Sequence, residues 1–275
     1  MKNIFTIDTE DWYHANFEDG LFTNDSNVIS TVEKNIDRYL ELFSENDVKA
    51  TFFVLGFVVE QHPQMIKKIA AEGHEIASHG YGHQLVYKQT KKEFREDVYK
   101  SKGLIEDLIG CEVLGYRAPS WSIIEESLWA LDILEELGFK YNSAIFPTKN
   151  FLYGIPYAPR SAHNATVYGK NLKIITVPPG TFKIGRINIP FSGGAHFRLL
   201  PEWLIEKFTD YLNHKEHMPV VFYLHPREID PSQPKLDLKF VDHMIHYYGI
   251  DGCEKKLIKI LKKYDFETMK DYLKL

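Results

Sequence analysis

The chain has 275 residues, 44% of them hydrophobic and 26% charged, with a formal net charge of -5. These values fit one large globular domain, or a domain with an extension, and the mild acidity with scattered Lys and Arg speaks against a nucleic-acid partner. No run of about 18 apolar residues is present, so no membrane-spanning helix is expected.

In chain order, Ile4-Phe5-Thr6-Ile7 reads as a buried strand that runs into clustered acids, Asp8, Glu10 and Asp11, followed by Trp12. Carboxylates so close repel one another unless a cation is present. Met1 leads into this strand with no basic-then-apolar leader, and Cys111 and Cys253 are far apart without CxxC spacing. Two free thiols and a cytoplasmic location are therefore expected. Apolar residues at helical spacing, Val32, Ile36, Tyr39, Leu40 and Phe43, predict a helix. A strand over Ala50–Leu55 follows, then one helix from about Val58 to Ala71, ended by Gly73.

A short strand, His74 to Ala77, leads into Ser78-His79-Gly80-Tyr81-Gly82-His83. Two imidazoles four residues apart in a glycine-rich turn suit a divalent transition metal, and the early acids supply a carboxylate. Three protein ligands with an open position are the pattern of a hydrolytic zinc site. A helix over Lys91–Ile109, a strand over Val113–Tyr116, the loop Arg117-Ala118-Pro119-Ser120-Trp121 and a helix over Ser127–Leu137 come next. Trp129 is expected in the core. The Gly/Pro/Tyr/Asn-rich region from Phe146 to Gly194 should form loops and hairpins around a cleft, with a strand at Lys173–Val177. Gly193-Gly194 reads as a turn, and Phe197-Arg198-Leu199-Leu200-Pro201 as a loop into a helix at Pro201. A strand at Val220–Leu224 precedes a helical remainder, in which Lys255 to Lys263 is a helix with a solvated face. The alternation predicts a parallel α/β architecture with every chemical motif at a strand's C-terminal end.

Taken in order, TIDTED, HGYGH, RAPSW and YLHP resemble the polysaccharide deacetylase family, the NodB-homology carbohydrate esterases. LYGIPYAPR, PFSGGAHFRLLP and YLHPREIDPSQP are similar to a subgroup associated with exopolysaccharide loci and carrying a C-terminal helical segment. The resemblance implies a distorted parallel (β/α) barrel, with a catalytic domain over 1–225 and a helical extension over 226–275 packed on it. It implies metal-dependent removal of N-acetyl groups from amino sugars, with zinc as the expected ion and a carbohydrate as the partner. Asp8 would be the base, Arg117 its partner and His225 the acid. His79, His83 and either Glu10 or Asp11 would hold the metal. Asp-x-acid spacing puts Asp8 and Glu10 on one side of an extended segment and favours Glu10. A backbone N–H of Gly80 or Tyr81 would help hold the oxyanion. Trp12, Tyr81 and Trp121 would stack on sugar, and Arg160 and Arg198 would favour an acidic or phosphate-bearing substrate if they face the metal. One departure stands out: the family's Asp-Trp motif that often orients the acid histidine has no counterpart around Tyr153 to Arg160. A metal-dependent amidohydrolase acting on a small amide is the rival enzyme, and a carbohydrate-binding scaffold the non-enzymatic alternative. The oligomeric state is left open.

Overall fold

The computed structural model describes residues 1–14, 29–150, 153–236 and 238–275. The strands are β1 (Asn3–Thr9), β2 (Thr51–Val54), β3 (Glu75–Ser78), β4 (Gly115–Tyr116), β5 (Tyr141–Asn142), β6 (His163–Val167), β7 (Lys170–Thr176), β8 (Thr181–Ile184), β9 (Ile187–Pro190), β10 (Val221–Leu224) and β11 (Phe266–Glu267). The helices are α1 (Val32–Glu45), α2 (Gly56–Gln61), α3 (Pro63–Ala71), α4 (Lys91–Ile109), α5 (Trp129–Glu136), α6 (Gly194–Leu199), α7 (Glu202–Tyr211), α8 (Phe240–Tyr247), α9 (Ile250–Lys263) and α10 (Met269–Leu273). None of the described helices is long and apolar enough to cross a membrane.

The main sheet runs β10-β1-β2-β3-β4-β5-β7-β6, with β11 also paired to β1. Every pairing is parallel except β6 with β7. Among the described residues no strand joins β6 back to β10, so the sheet curls into a half-barrel. All seven residues of β1 are buried, as expected of a parallel strand covered on both faces. The two-residue period divides its side chains. Phe5 and Ile7, with Phe52 and Val54 of β2, pack in the large core against the helices. Ile4 and Phe53 face inward with Ala77, Tyr141, Val177 and Val221, and Met269 of α10 closes that cluster.

Local chemistry sets the element ends. Thr90 and Glu93 form a reciprocal capping box at the start of α4, and Gly110 ends it at φ 70°. The single helix expected over 58–71 is two, because Pro63 has no N–H to donate and restricts His62 before it. The region from Phe146 to Gly194, of which Phe151 and Leu152 lie outside the described residues, holds two hairpins, β6–β7 and β8–β9. Leu200 and Pro201 lead into α7 as expected, whereas the expected Gly193-Gly194 turn and the loop after it are instead α6 as far as Leu199. There the chain approaches β10 so closely that a Cβ on Gly193 would lie 2.1 Å from the Tyr223 carbonyl oxygen. Trp129 packs edge-on to Phe94 beside the core. The C-terminal remainder is irregular over residues 230–236 and then helical through α8, α9 and α10; between the last two lies β11, a two-residue strand with no alternation to betray it.

Candidate active site

The site is built where β1, β3, β4 and β10 end. Glu10, His79 and His83 are buried, and one ligating atom from each lies within 4.8 Å of the others. The Glu10 Oε2 to His83 Nε2 distance is 2.6 Å, yet that oxygen makes no regular hydrogen bond within the protein. Burial pushes the Glu10 pKa up, but His83 and His225, then His79, outweigh it and hold the carboxyl well below its usual range. His79 lies 2.8 Å through Nδ1 from the Arg117 carbonyl, which accepts its N–H and leaves Nε2 as a lone pair. Burial takes its pKa down to about 4, so the ring is neutral and fit to ligate. A buried carboxylate oxygen without a regular hydrogen bond, beside two imidazoles, is a donor set that fits a divalent transition metal.

The loop carrying the histidines is held from α4. Asp97 accepts from the backbone N–H groups of Tyr81 and Gly82 at 2.8 and 3.2 Å. Ser101, one turn on, donates to the Gly80 carbonyl at 2.9 Å. His83 sits at φ 53°, a left-handed conformation uncommon outside glycine, and such strain persists where surroundings over-determine it. The Tyr81 N–H is thus committed to Asp97, and that of Gly80 to Ser78 Oγ at 3.2 Å. The expectation that either would hold an oxyanion is corrected.

Asp8 shares the inward face of β1 with Ile4 and Thr6. Its Oδ1 accepts from Arg117 Nη1 at 2.5 Å, and the same nitrogen donates to Thr6 Oγ1 at 2.8 Å. Arg117 is fully buried, donates through Nη2 to Ser143 Oγ at 3.1 Å, and lies over the rings of Phe53 and Trp121. Asp11, of opposite parity, turns the other way. It accepts from the Ser30 hydroxyl and from the N–H groups of Trp12 and Thr31, tying the acid turn to the start of α1. Asp11 therefore stands outside the carboxylate–imidazole cluster.

His225 ends β10 with Nε2 at 3.8 Å from Asp8 Oδ2 and 3.7 Å from Glu10 Oε1. Its Nδ1 lies 3.2 Å from Glu228 Oε2, which also accepts the His225 backbone N–H at 3.0 Å. The other Glu228 oxygen accepts from Arg198 Nε at 2.9 Å. Arg198 further donates to the carbonyls of Ile245 and Tyr248. Burial depresses the His225 pKa, but the Glu10 charge and the Glu228 contact outweigh it and raise the pKa above its ordinary value. Glu228, which the sequence reading missed, does the orienting that no Asp-Trp pair supplies. Its only sequence signal is the His-x-x-Glu spacing of a one-turn helix.

A cavity of about 330 Å³ opens over these groups, walled by Trp121, Tyr153, Tyr223 and residues of α6 and α8. Of the expected sugar-contacting residues, Trp121 lines it. Trp12 does not; its indole N–H donates to the Ile29 carbonyl at 3.1 Å. Tyr81 faces away, with its hydroxyl on Glu60 at 2.7 Å and Lys100 over its ring. Arg160 pairs with Glu216 at 2.7 Å outside the cavity. Arg198 lines the cavity, but its guanidinium is committed to Glu228 and two carbonyls, so neither arginine is placed to meet a substrate anion.

A curled parallel sheet with a buried carboxylate, two imidazoles and a separate acid–base pair at its strand ends defines the class of metal-dependent hydrolase sites. Residues 10–142 match the polysaccharide deacetylase family and form a domain of that type, and residues 143–274 match a domain of unknown function (DUF3473). The chain is 36% identical over 113 residues to a peptidoglycan deacetylase of Helicobacter pylori, covering 41% of this chain and 38% of that protein. It is 35% identical over 96 residues to a peptidoglycan-N-acetylglucosamine deacetylase of Bacillus cereus, covering 34% and 35%. The likeness thus spans little more than a third of these relatives. The crystal structure of a putative polysaccharide deacetylase from Mycobacterium smegmatis shares the fold, with a TM-score of 0.61 at 19% identity over 99% of this chain and 90% of that one.

Proposed function

We propose that the protein is a metal-dependent deacetylase that removes N-acetyl groups from amino sugars in a polysaccharide or its precursor. The observation that carries this is the placement of His225 Nε2 at 3.7–3.8 Å from both Asp8 and Glu10, beside the buried Glu10–His79–His83 cluster. The naming of the relatives as peptidoglycan deacetylases supports the substrate class. Glu10, His79 and His83 would hold the metal, zinc by donor type, which supplies Lewis acidity at the amide carbonyl. Asp8 is the base: Arg117 holds Oδ1, and Oδ2 accepts the proton of the attacking water. As the amide C–N bond breaks, His225 gives its Nε2 proton to the departing amine, and acetate and a free amino sugar leave. Glu228 keeps His225 in the tautomer and orientation that this transfer needs.

The test is acetate release from N-acetylated amino-sugar oligomers by the zinc-loaded chain. Asp8→Asn should bind the metal and lose at least roughly 100-fold in turnover, the scale of general base catalysis. Retained activity in that variant would overturn the assignment. A cavity of about 330 Å³ is at the small end of the roughly 300–1,000 Å³ usual for ligands, which favours a second reading, a small-amide hydrolase. Acetate release from small amides alone would decide for it. The cytoplasm is the proposed location, supported by two free cysteines, one exposed and one buried, and polysaccharide assembly is the proposed setting.

A further inference from the structure

Three arginines with buried side chains surround the site, and two of them have an anion. Arg117 pairs with Asp8 at 2.5 Å and Arg198 with Glu228 at 2.9 Å. The third is Arg227, in the turn that follows His225. It is 9% exposed and lines the same cavity as Asp8, Glu10 and His225. Its Nη1 donates to the His246 carbonyl at 3.3 Å, while its Nε is buried without a hydrogen-bond partner. Among the described residues no carboxylate forms an ion pair with it. Its nearest opposing charge is Glu228, whose direct ion pair is with Arg198, and Glu10 acts on it from further away. A buried guanidinium with no carboxylate in contact is costly, and the cost is relieved when an anion enters beside it. The cavity's own acids do not serve: Asp8 is held by Arg117 and Glu10 by the histidines. A neutral sugar would leave Arg227 without an anion in contact, whereas a planar fork of N–H donors matches a carboxylate or phosphoryl group.

We propose that the cavity takes an acetylated amino sugar bearing an anionic substituent, a carboxylate or a phosphoryl group, and that Arg227 binds it. This rests on the deacetylase reading and narrows its substrate class. The charge is on the sugar being deacetylated or on its immediate neighbour, because Arg227 lines the same cavity as the groups that do the chemistry. It replaces the expectation that Arg160 and Arg198 would play this part.

The experiment compares acetate release from three matched N-acetylated substrates: neutral, uronate-bearing, and phosphorylated at the reducing end. The wild-type chain should prefer at least one anionic substrate by tenfold or more in kcat/KM, and the preferred arm identifies the anion. Arg227→Gln should lose at least tenfold more on the anionic than on the neutral substrate. Arg227→Lys, which keeps charge without the fork, should retain part of the preference, and it serves if the glutamine variant does not fold. Absence of any preference in the wild type, or equal losses on all substrates in both variants, would overturn the proposal; equal losses would mark Arg227 as a support for the His225 turn. Should no substrate release acetate, the deacetylase reading fails separately. Calorimetric binding of an amino-sugar 1-phosphate and of glucuronate to wild type and Arg227→Gln then decides: loss of binding in the variant upholds Arg227 as the anion site, and equal or undetectable binding to both proteins sinks it.

Discussion

The two acids that follow β1 differ by one position and have unrelated surroundings. Glu10 joins His79 and His83, whereas Asp11 anchors Ser30 and Thr31 ahead of α1. Asp-x-acid spacing made this choice legible in the sequence, since side chains of like parity leave an extended segment on one side. Glu10→Ala should abolish zinc binding by calorimetry while the fold survives. Asp11→Ala should keep the metal and lower stability by about 1–2 kcal/mol in urea denaturation, the scale of a lost helix cap. The reverse result would exchange the two roles. What the sequence did not disclose was pairing across distance. The Arg198–Glu228 contact joins residues 30 positions apart, and nothing in either residue's neighbourhood announces whether an arginine will meet a carboxylate, a carbonyl or an open cavity.

At the scale of elements, periodicity found most strands and helices, and terminal chemistry fixed their ends where it was strong. The range expected for α4 agrees with the observed Lys91–Ile109 because Thr90 and Gly110 cap it. β5 and β11, two residues each, carry no period, which is why both were missed, whereas the equally short β4 was found from the apolar run from Val113 that leads into it. The same helix shows how an element serves a site without touching it. Asp97 and Ser101 hold the histidine loop from one face of α4. Asp97→Asn keeps the size but offers only one acceptor oxygen where two are used, so zinc affinity should fall roughly 10–100-fold, the usual effect of losing a ligand's support. Unchanged affinity in a competition titration would show that the loop holds its own shape. A second element-level prediction concerns His74, at the entrance to β3. It accepts the Ala50 N–H at 3.1 Å and packs against Phe43 and Phe52. Burial, aided by Lys49, takes its pKa down from 6.5 to about 4. The folded state therefore resists protonation more than the unfolded chain does. Stability should be unaffected by His74 above about pH 6.5 and fall as pH drops toward 4, by on the order of 2–3 kcal/mol at 1.36 kcal/mol per unit. His74→Gln, unable to titrate, should flatten that part of the pH–stability curve; an unchanged slope would place the acid sensitivity elsewhere.

The whole molecule is less divisible than either its family matches or a catalytic-domain-plus-extension reading suggests. Strand–helix alternation was enough to expect a parallel barrel, because each strand–helix unit buries its apolar face only against the next. It was not enough to see how the last third of the chain completes the first strand. β10 lies along one side of β1 with Ile4 opposite Val221 and Ile7 opposite Leu224, and β11 pairs at its beginning. Met269 closes the inward cluster that Ile4 and Phe53 begin. The acid–base pair is split the same way, with Asp8 in one half and His225 in the other. A fragment of residues 1–142 would expose one edge of β1 and the floor of the half-barrel, a long unpaired apolar edge of the kind that aggregates. It should show no cooperative melting transition by calorimetry, whereas the full chain should melt in one. Met269→Ala, by opening a cavity in the floor away from the strand ends that carry the chemistry, should lower stability by about 2–5 kcal/mol. Because the two halves share one sheet, that loss should appear as a shift of the single transition. A new, earlier transition confined to the C-terminal segment would instead show that residues 226–275 fold as an appendage.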